Sequence, residues 1–280
     1  MWRDLLAYSL NDSDVVIFGI PYDGNCSIGR GAALAPSVMR ECSEGLPPFT
    51  TDGSRIPPIL CDIGDVTDYD YASVLDKMRV GQGKRLTLML GGDHSVSILS
   101  ERAYRELNAG KRAIIHIDAH ADICDFYNGS SHSHACVNRR ALDNGFSPED
   151  ITMIGIRSYE ADEVDFLAHS NVTVYSAEDL NHDTDAVIDA VIRKYSDYDG
   201  VYLSFDIDAV DPAYAPGTGT PEAFGMTSFT VLHILKRLIK ELPVDAMDIV
   251  EVSPPLDVNN ITSWLALKYI LEILNLINKR

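Results

Sequence analysis

Eight short, β-branched apolar runs recur along this 280-residue chain, each followed by a longer amphipathic stretch, and that alternation leaves little choice of fold. The runs cover residues 14–20, 59–63, 86–90, 113–117, 151–156, 172–175, 201–205 and 246–250. Between and after them the spacing predicts helices over 35–41, 72–82, 96–108, 135–144, 160–169, 184–195, 228–241 and 262–279. Strands alternating with helices require parallel βαβ units with helices on the faces of the sheet. No repeat, low-complexity tract or linker divides the sequence, so one α/β domain over residues 1–280 is expected. The last helix is expected to be capped by Asn260 or Thr262, with Leu265, Tyr269, Glu272 and Leu276 making a mixed outer face.

Charge narrows the partners. Asp and Glu number 42 against 23 Lys and Arg, a formal net charge of −19. Such a chain repels nucleic acid and anionic membranes and tolerates a small cation. Of those 42 acids 30 are Asp, the short, hard-oxygen ligand of divalent metals. Five scattered cysteines with no CxxC spacing argue against a disulfide framework or a thiolate zinc site. The first residues carry acids too early for a signal peptide, and no apolar stretch reaches membrane-spanning length. A cytoplasmic protein is expected.

In a parallel sheet, ligands bind beyond the carboxyl ends of the strands, where the loops diverge. Three polar clusters fall there. Gly91-Gly92-Asp93-His94-Ser95 follows the run at 86–90, and its glycines admit backbone where a Cβ would clash. Alone it reads as a turn. His116-Ile117-Asp118-Ala119-His120-Ala121-Asp122 places polar groups at every second position, which one face of an extended segment would share. A face of His and Asp is untenable as core unless something supplies opposite charge, and no Lys or Arg follows before Arg139. Asp118, His120 and Asp122 are therefore read as metal ligands, and His116, deeper in the strand, as a buried hydrogen-bonded residue. Asp206 and Asp208 in Ser204-Phe205-Asp206-Ile207-Asp208 follow the same period-two logic, whereas Asp211, before Pro212, organises a turn. His94, Asp118, His120, Asp122, Asp206 and Asp208 exceed what one tetrahedral zinc needs. They suit two harder ions such as Mn²⁺, which would share a water and lower its pKa.

At these residues the sequence resembles the ureohydrolase family of arginase, agmatinase and formimidoylglutamase. GGDHS, DAHAD and SFDIDAVDPAYAPGTGTPE match its three metal signatures in order and spacing, and DIVEVSPP extends the match from about Ile17 to Pro255. The resemblance implies a three-layer α/β/α fold with a mostly parallel eight-stranded sheet, often assembled as a homo-oligomer, a trimer or hexamer. It implies two Mn²⁺ per chain, one on His94, Asp118, Asp122 and Asp206, the other on His120, Asp118, Asp206 and Asp208, with Asp118 and Asp206 bridging. Ser133-His134-Ala135 resembles the agmatinase SHA element, which makes His134 a proton-transfer and substrate residue; without the resemblance, a capping or core histidine would be preferred. Glu251 matches the glutamate that grips the guanidinium, and Thr220 helps to shape the pocket. In the implied mechanism Asp122 moves a proton from the nucleophile to the leaving amine.

The substrate implied is a small cationic guanidino compound. Arginases carry an asparagine where this chain has Cys124, followed by Asp125, so a substrate α-carboxylate would lose a donor and meet an acid. Agmatine, cleaved to urea and putrescine in polyamine biosynthesis, avoids both. Arginase and guanidinobutyrase activities are the alternatives. A deacetylase-like amide hydrolase or a non-catalytic binding protein stands further off, because six ligands and Glu251 are all present.

Overall fold

The computed structural model describes residues 2–280, and among these every expected strand and helix is present. The strands are β1 (Val15–Gly19), β2 (Leu60–Asp65), β3 (Leu86–Leu90), β4 (Arg112–Ile117), β5 (Ile151–Ile156), β6 (Thr173–Ser176), β7 (Gly200–Asp206) and β8 (Val244–Val250). They form one eight-stranded sheet in the order β2-β1-β3-β8-β7-β4-β5-β6, parallel at every pairing. Strands β1, β3 and β5, none of them at a sheet edge, are buried at every residue, as near-continuous apolar runs require when helices cover both faces.

The helices are α1 (Ala35–Ser43), α2 (Tyr71–Gly81), α3 (Val96–Leu107), α4 (Val137–Asp143), α5 (Ala161–Ala168), α6 (Ala177–Tyr195), α7 (Ser228–Glu241) and α8 (Ile261–Lys279). Residues of α1, α6, α7 and α8 share one apolar core with the sheet, and residues of α2, α3, α4 and α5 share the other. Connection handedness explains the division. Moves along the sheet in one direction carry α1, α6 and α7 to one face, and moves the opposite way carry α2 to α5 to the other. Chain leaving β3 and β4 thus turns to one face, while chain leaving the intervening β8 and β7 turns to the other. Loops diverge at both junctions, and crevices open there.

Two helix starts differ from expectation. Helix α6 begins at Ala177, capped by Ser176, and breaks at Asp183 (φ −158°, ψ 88°), whose carboxylate caps the second segment through the Ala186 N–H at 3.0 Å. The spacing had revealed only that second segment. At α8 neither Asn260 nor Thr262 caps by its side chain: Asn260 is left-handed (φ 57°), and Asp257 Oδ2 accepts the N–H groups of Thr262 (2.8 Å) and Ser263 (3.2 Å). Nor is Tyr269 or Glu272 on an outer face. Both are buried because α8 packs between α1 and α7, where Glu272 meets Lys236 Nζ at 2.6 Å and the Thr51 N–H at 2.6 Å.

Candidate metal centre

His94, Asp118, His120, Asp122, Asp206 and Asp208 do converge, at the carboxyl ends of β3, β4 and β7, over the two crevices. Close backbone approach, not a left-handed turn, explains Gly92: a Cβ there would lie 1.6 Å from the Tyr22 carbonyl oxygen, which the Asp93 N–H reaches at 2.8 Å. Beyond β4 the chain does not stay extended. Asp118 accepts the His120 N–H at 2.6 Å and Asp122 takes φ +48°, so convergence comes from a bent loop and not from a shared strand face. Asp208 likewise sits in a single 3-10 turn, its N–H held by Asp206 Oδ1 at 2.8 Å. Asp211 organises the turn, as expected, through the N–H groups of Ala213 and Gly225.

His94 Nδ1 is the focus. It lies 3.0 Å from Asp118 Oδ2, 3.2 Å from Asp122 Oδ2 and 3.2 Å from Asp206 Oδ2. His120 Nδ1 lies 3.1 Å from Asp208 Oδ2 and 3.5 Å from Asp118 Oδ1. His116 is buried, as expected, yet its Nε2 comes within 2.9 Å of Asp118 Oδ2, and its ring stacks on His94 at 4.7 Å. Donor atoms of His94, His116, Asp118 and Asp122 all lie within 4.8 Å of one another, and so do those of Asp118, His120 and Asp208. Asp118 belongs to both groups, and Asp206 to neither despite its approach to His94.

These residues fit a divalent cation. His94 Nδ1, Asp118 Oδ2 and both ring nitrogens of His116 are buried and accept or donate no aligned hydrogen bond among the described residues. Oxygen and nitrogen donors about 2.1 Å from a small octahedral dication stand about 3 Å apart, the spacing found around His94 Nδ1. Electrostatics point the same way. Burial would strip His94 of its proton, but the close carboxylates of Asp118, Asp122 and Asp206 hold its pKa well above the usual imidazole value. Burial, Asp208 and Asp118 push Asp206 well above the carboxylate range. The centre wants positive charge.

Several supporting residues carried no sequence signal of their own. Ser204 Oγ donates to Asp248 Oδ1 at 2.9 Å, so it accepts the Nε2–H of His94, also at 2.9 Å. Asp248 further accepts from Ser97, Tyr202 and the Phe205 N–H. Arg157, past β5, donates to the carbonyls of Asp208 (2.7 Å), Glu222 (2.9 Å) and Ala223 (2.9 Å), tying two site loops together. Asn25 joins the His94 loop, through Asp93 Oδ2 at 2.8 Å, to the His134 segment. Ser204 and Asp248 sit inside quoted motifs and could have been found by asking what orients each histidine.

Glu251 is buried past β8 in the left-handed region (φ +61°), and its Oε1 accepts the His94 N–H at 2.8 Å. Such a conformation in a non-glycine residue is held only when its surroundings enforce it. His134 Nδ1 lies 3.3 Å from the same oxygen. Burial opposes the imidazolium, but Glu251, then Asp122 and Asp93, raise the His134 pKa above the ordinary imidazole value. Ser133, not His134, is the capping residue of the local 3-10 turn. Thr220 Oγ1 approaches Asp208 Oδ2 at 3.3 Å. A cavity of about 340 Å³ opens above, lined by His120, Asp122, His134 and Thr220 with Tyr127, Tyr159, Glu160, Glu163 and Glu222.

Cys124 and Asp125 do not line that cavity. Cys124 is buried with its Sγ 3.8 Å from Asp162, and Asp125 turns outward to Arg140 (2.6 Å) and Arg139 (3.7 Å). The two arginines of α4 neutralise it, so the argument that a substrate carboxylate would meet Asp125 is overturned.

Comparison with known proteins agrees with the geometry. The Arginase family profile matches residues 13–275. Guanidinobutyrase of Pseudomonas aeruginosa is 33% identical over 95% of this chain and 86% of its own length. Agmatinase of Neisseria gonorrhoeae is 36% identical over 94% and 87%. The solved agmatine ureohydrolase of Thermoplasma volcanium superposes with a TM-score of 0.85 at 34% identity, covering 99% of this chain and 94% of that one. No helix among the described residues is long and apolar enough to cross a membrane. With this sheet order, this His/Asp cluster and this match along nearly its whole length, the chain belongs to the arginase family of ureohydrolases, hydrolases of guanidino C–N bonds.

Proposed function

We propose that the protein is an agmatinase, converting agmatine and water to urea and putrescine. One observation carries the choice of substrate: the cavity over the His/Asp cluster is lined by Glu160, Glu163 and Glu222, and by no Lys or Arg. An ammonium tail finds counter-charge there, whereas the carboxylate of arginine or 4-guanidinobutyrate finds none. The agmatinase relatives support this reading, and the guanidinobutyrase relative, nearly as similar, is what the test must answer.

His94, Asp118, Asp122 and Asp206 would hold one Mn²⁺, and His120, Asp118, Asp206 and Asp208 the other. When bound, the two ions supply Lewis acidity that brings the pKa of water toward neutrality. Glu251, fixed by the His94 N–H, holds the planar guanidinium through parallel N–H bonds. Asp122, at the cavity wall, takes a proton from the attacking water and passes it to the departing amine nitrogen. His134, whose imidazolium form Glu251 favours, supplies a further proton toward the leaving group and exchanges it with solvent. Thr220 keeps the Asp208 carboxylate in place from the cavity side. Five unpaired thiols fit the reducing cytoplasm.

Urea release from agmatine, arginine and 4-guanidinobutyrate, measured side by side on Mn²⁺-loaded protein, decides the matter. Agmatine is expected to be turned over with the highest kcat/KM. A higher value for 4-guanidinobutyrate would replace this reading with guanidinobutyrase activity.

A further inference from the structure

Three glutamates line the cavity, but they are not equally free to meet a ligand. Glu163 is buried and both its oxygens are spent, Oε1 on the Ile123 N–H and Oε2 on the Glu160 N–H, each at 2.8 Å. It holds the loop after β4 to the start of α5. Glu160 is exposed at that helix start, and its carboxylate faces the Tyr127 hydroxyl.

Glu222 is built differently. Arg157 fixes its main chain by donating to the carbonyls of Glu222 and Ala223, both at 2.9 Å. Ser158 Oγ then donates to Glu222 Oε1 at 3.1 Å, and the Ser158 main chain is itself tied to the Ala119 carbonyl at 3.0 Å. His120 Nε2 stands 3.6 Å from the same oxygen. Glu222 Oε2 has no partner among the described residues, and the side chain is 39% exposed. One oxygen is anchored and the other is presented.

The same loop connects this carboxylate to the reacting end of the pocket. A methyl group added to Gly219 would stand 3.6 Å from Glu251 Oε2, so Gly219 abuts the guanidinium-binding glutamate. Three residues further on comes Glu222, and three residues of chain span at most about 10 Å. Glu251 and Glu222 are therefore close enough for one short molecule with a cation at each end to reach both. Tyr127 and Tyr159 in the cavity wall offer apolar surface to the methylenes between.

From this arrangement we propose that Glu222 is the residue that selects the substrate's tail: its Oε2 receives the terminal ammonium of an α,ω-dication while Glu251 holds the guanidinium. The inference rests on the agmatinase reading and deepens it.

The test pairs agmatine with butylguanidine, which has the same reacting group and an uncharged tail, on wild-type protein and on Glu222→Gln. In the variant, kcat/KM for agmatine is expected to fall roughly tenfold further than that for butylguanidine, mostly through KM. Because the comparison is a ratio within one preparation, partial loss of fold or of metal cancels. Equal losses on the two substrates, or no loss on agmatine, would overturn the role of Glu222. The wild-type arm is read separately: failure to turn over agmatine there defeats the agmatinase reading itself.

Discussion

Ser204 Oγ lies 2.9 Å from His94 Nε2 and gives its own proton to Asp248, so it can only accept from the imidazole. A proton is thereby held on Nε2, which leaves Nδ1, the nitrogen facing the carboxylates of Asp118, Asp122 and Asp206, as the one that would give its lone pair to a cation. Ser204→Ala removes the acceptor without touching a ligand, and metal binding is expected to weaken about 10- to 100-fold. Equilibrium dialysis against a calibrated chelator measures this directly, and unchanged affinity would show that the Ser204–Asp248 relay does not orient His94.

Removing Asp118 should cost more than removing Asp208, because Asp118 stands in both donor groups and Asp208 in only one. Asp118→Asn is expected to retain at most one ion, and Asp208→Asn to retain two with lower affinity. Chelation of the wild type should lower Tm, since each ion present at a hundred times its Kd stabilises the fold by about 3 kcal/mol. Both variants are compared by metal analysis after dialysis and by melting with and without Mn²⁺. Two tightly held ions in Asp118→Asn would refute a bridging role.

Glu101 makes the chain's stability depend on pH from outside the site. It is fully buried on α3, both its oxygens lack partners among the described residues, and burial followed by the charge of Asp248 raises its pKa well above 4.5. The folded protein therefore keeps this proton when the unfolded chain gives it up. Its stabilising contribution is complete below the ordinary glutamate value and is lost progressively as pH rises through the raised one. Glu101→Gln cannot ionise, so urea-unfolding free energies between about pH 5 and about pH 9 should fall less steeply than in the wild type. Parallel slopes would place the proton elsewhere.

The strands were legible because a parallel strand buried at every residue reads as a near-continuous apolar run, broken in 86–90 and 151–156 by a single threonine each. The metal cluster was legible because its members sit where such runs stop. What escaped was whatever depends on side-chain direction across sequence distance. Asp257 caps α8 from outside the helix, and Glu272 is buried because Lys236 on α7 reaches it. Asp125, beside Cys124, looked like a pocket acid, yet two arginines of α4 draw it outward, and the cavity takes its glutamates from the segments after β5 and β7 instead. Period-two spacing grouped Asp118, His120 and Asp122 on the assumption of an extended segment, whereas they converge because the loop bends, with Asp122 at φ +48°.

Arg157 spends its N–H groups on main-chain carbonyls, and the loop it fastens carries Thr220 beside a donor carboxylate and Glu222 beside the cavity. The side chains that surround a ligand's tail come from loops 127–135, 158–163 and 219–222, whereas the cation cluster is borne by the strand ends of β3, β4 and β7. The cavity wall and the cation cluster are thus carried largely on different pieces of chain, joined where His134 and Thr220 reach from the wall toward Glu251 and Asp208, so loop positions farther from the cluster can change without displacing its ligating side chains.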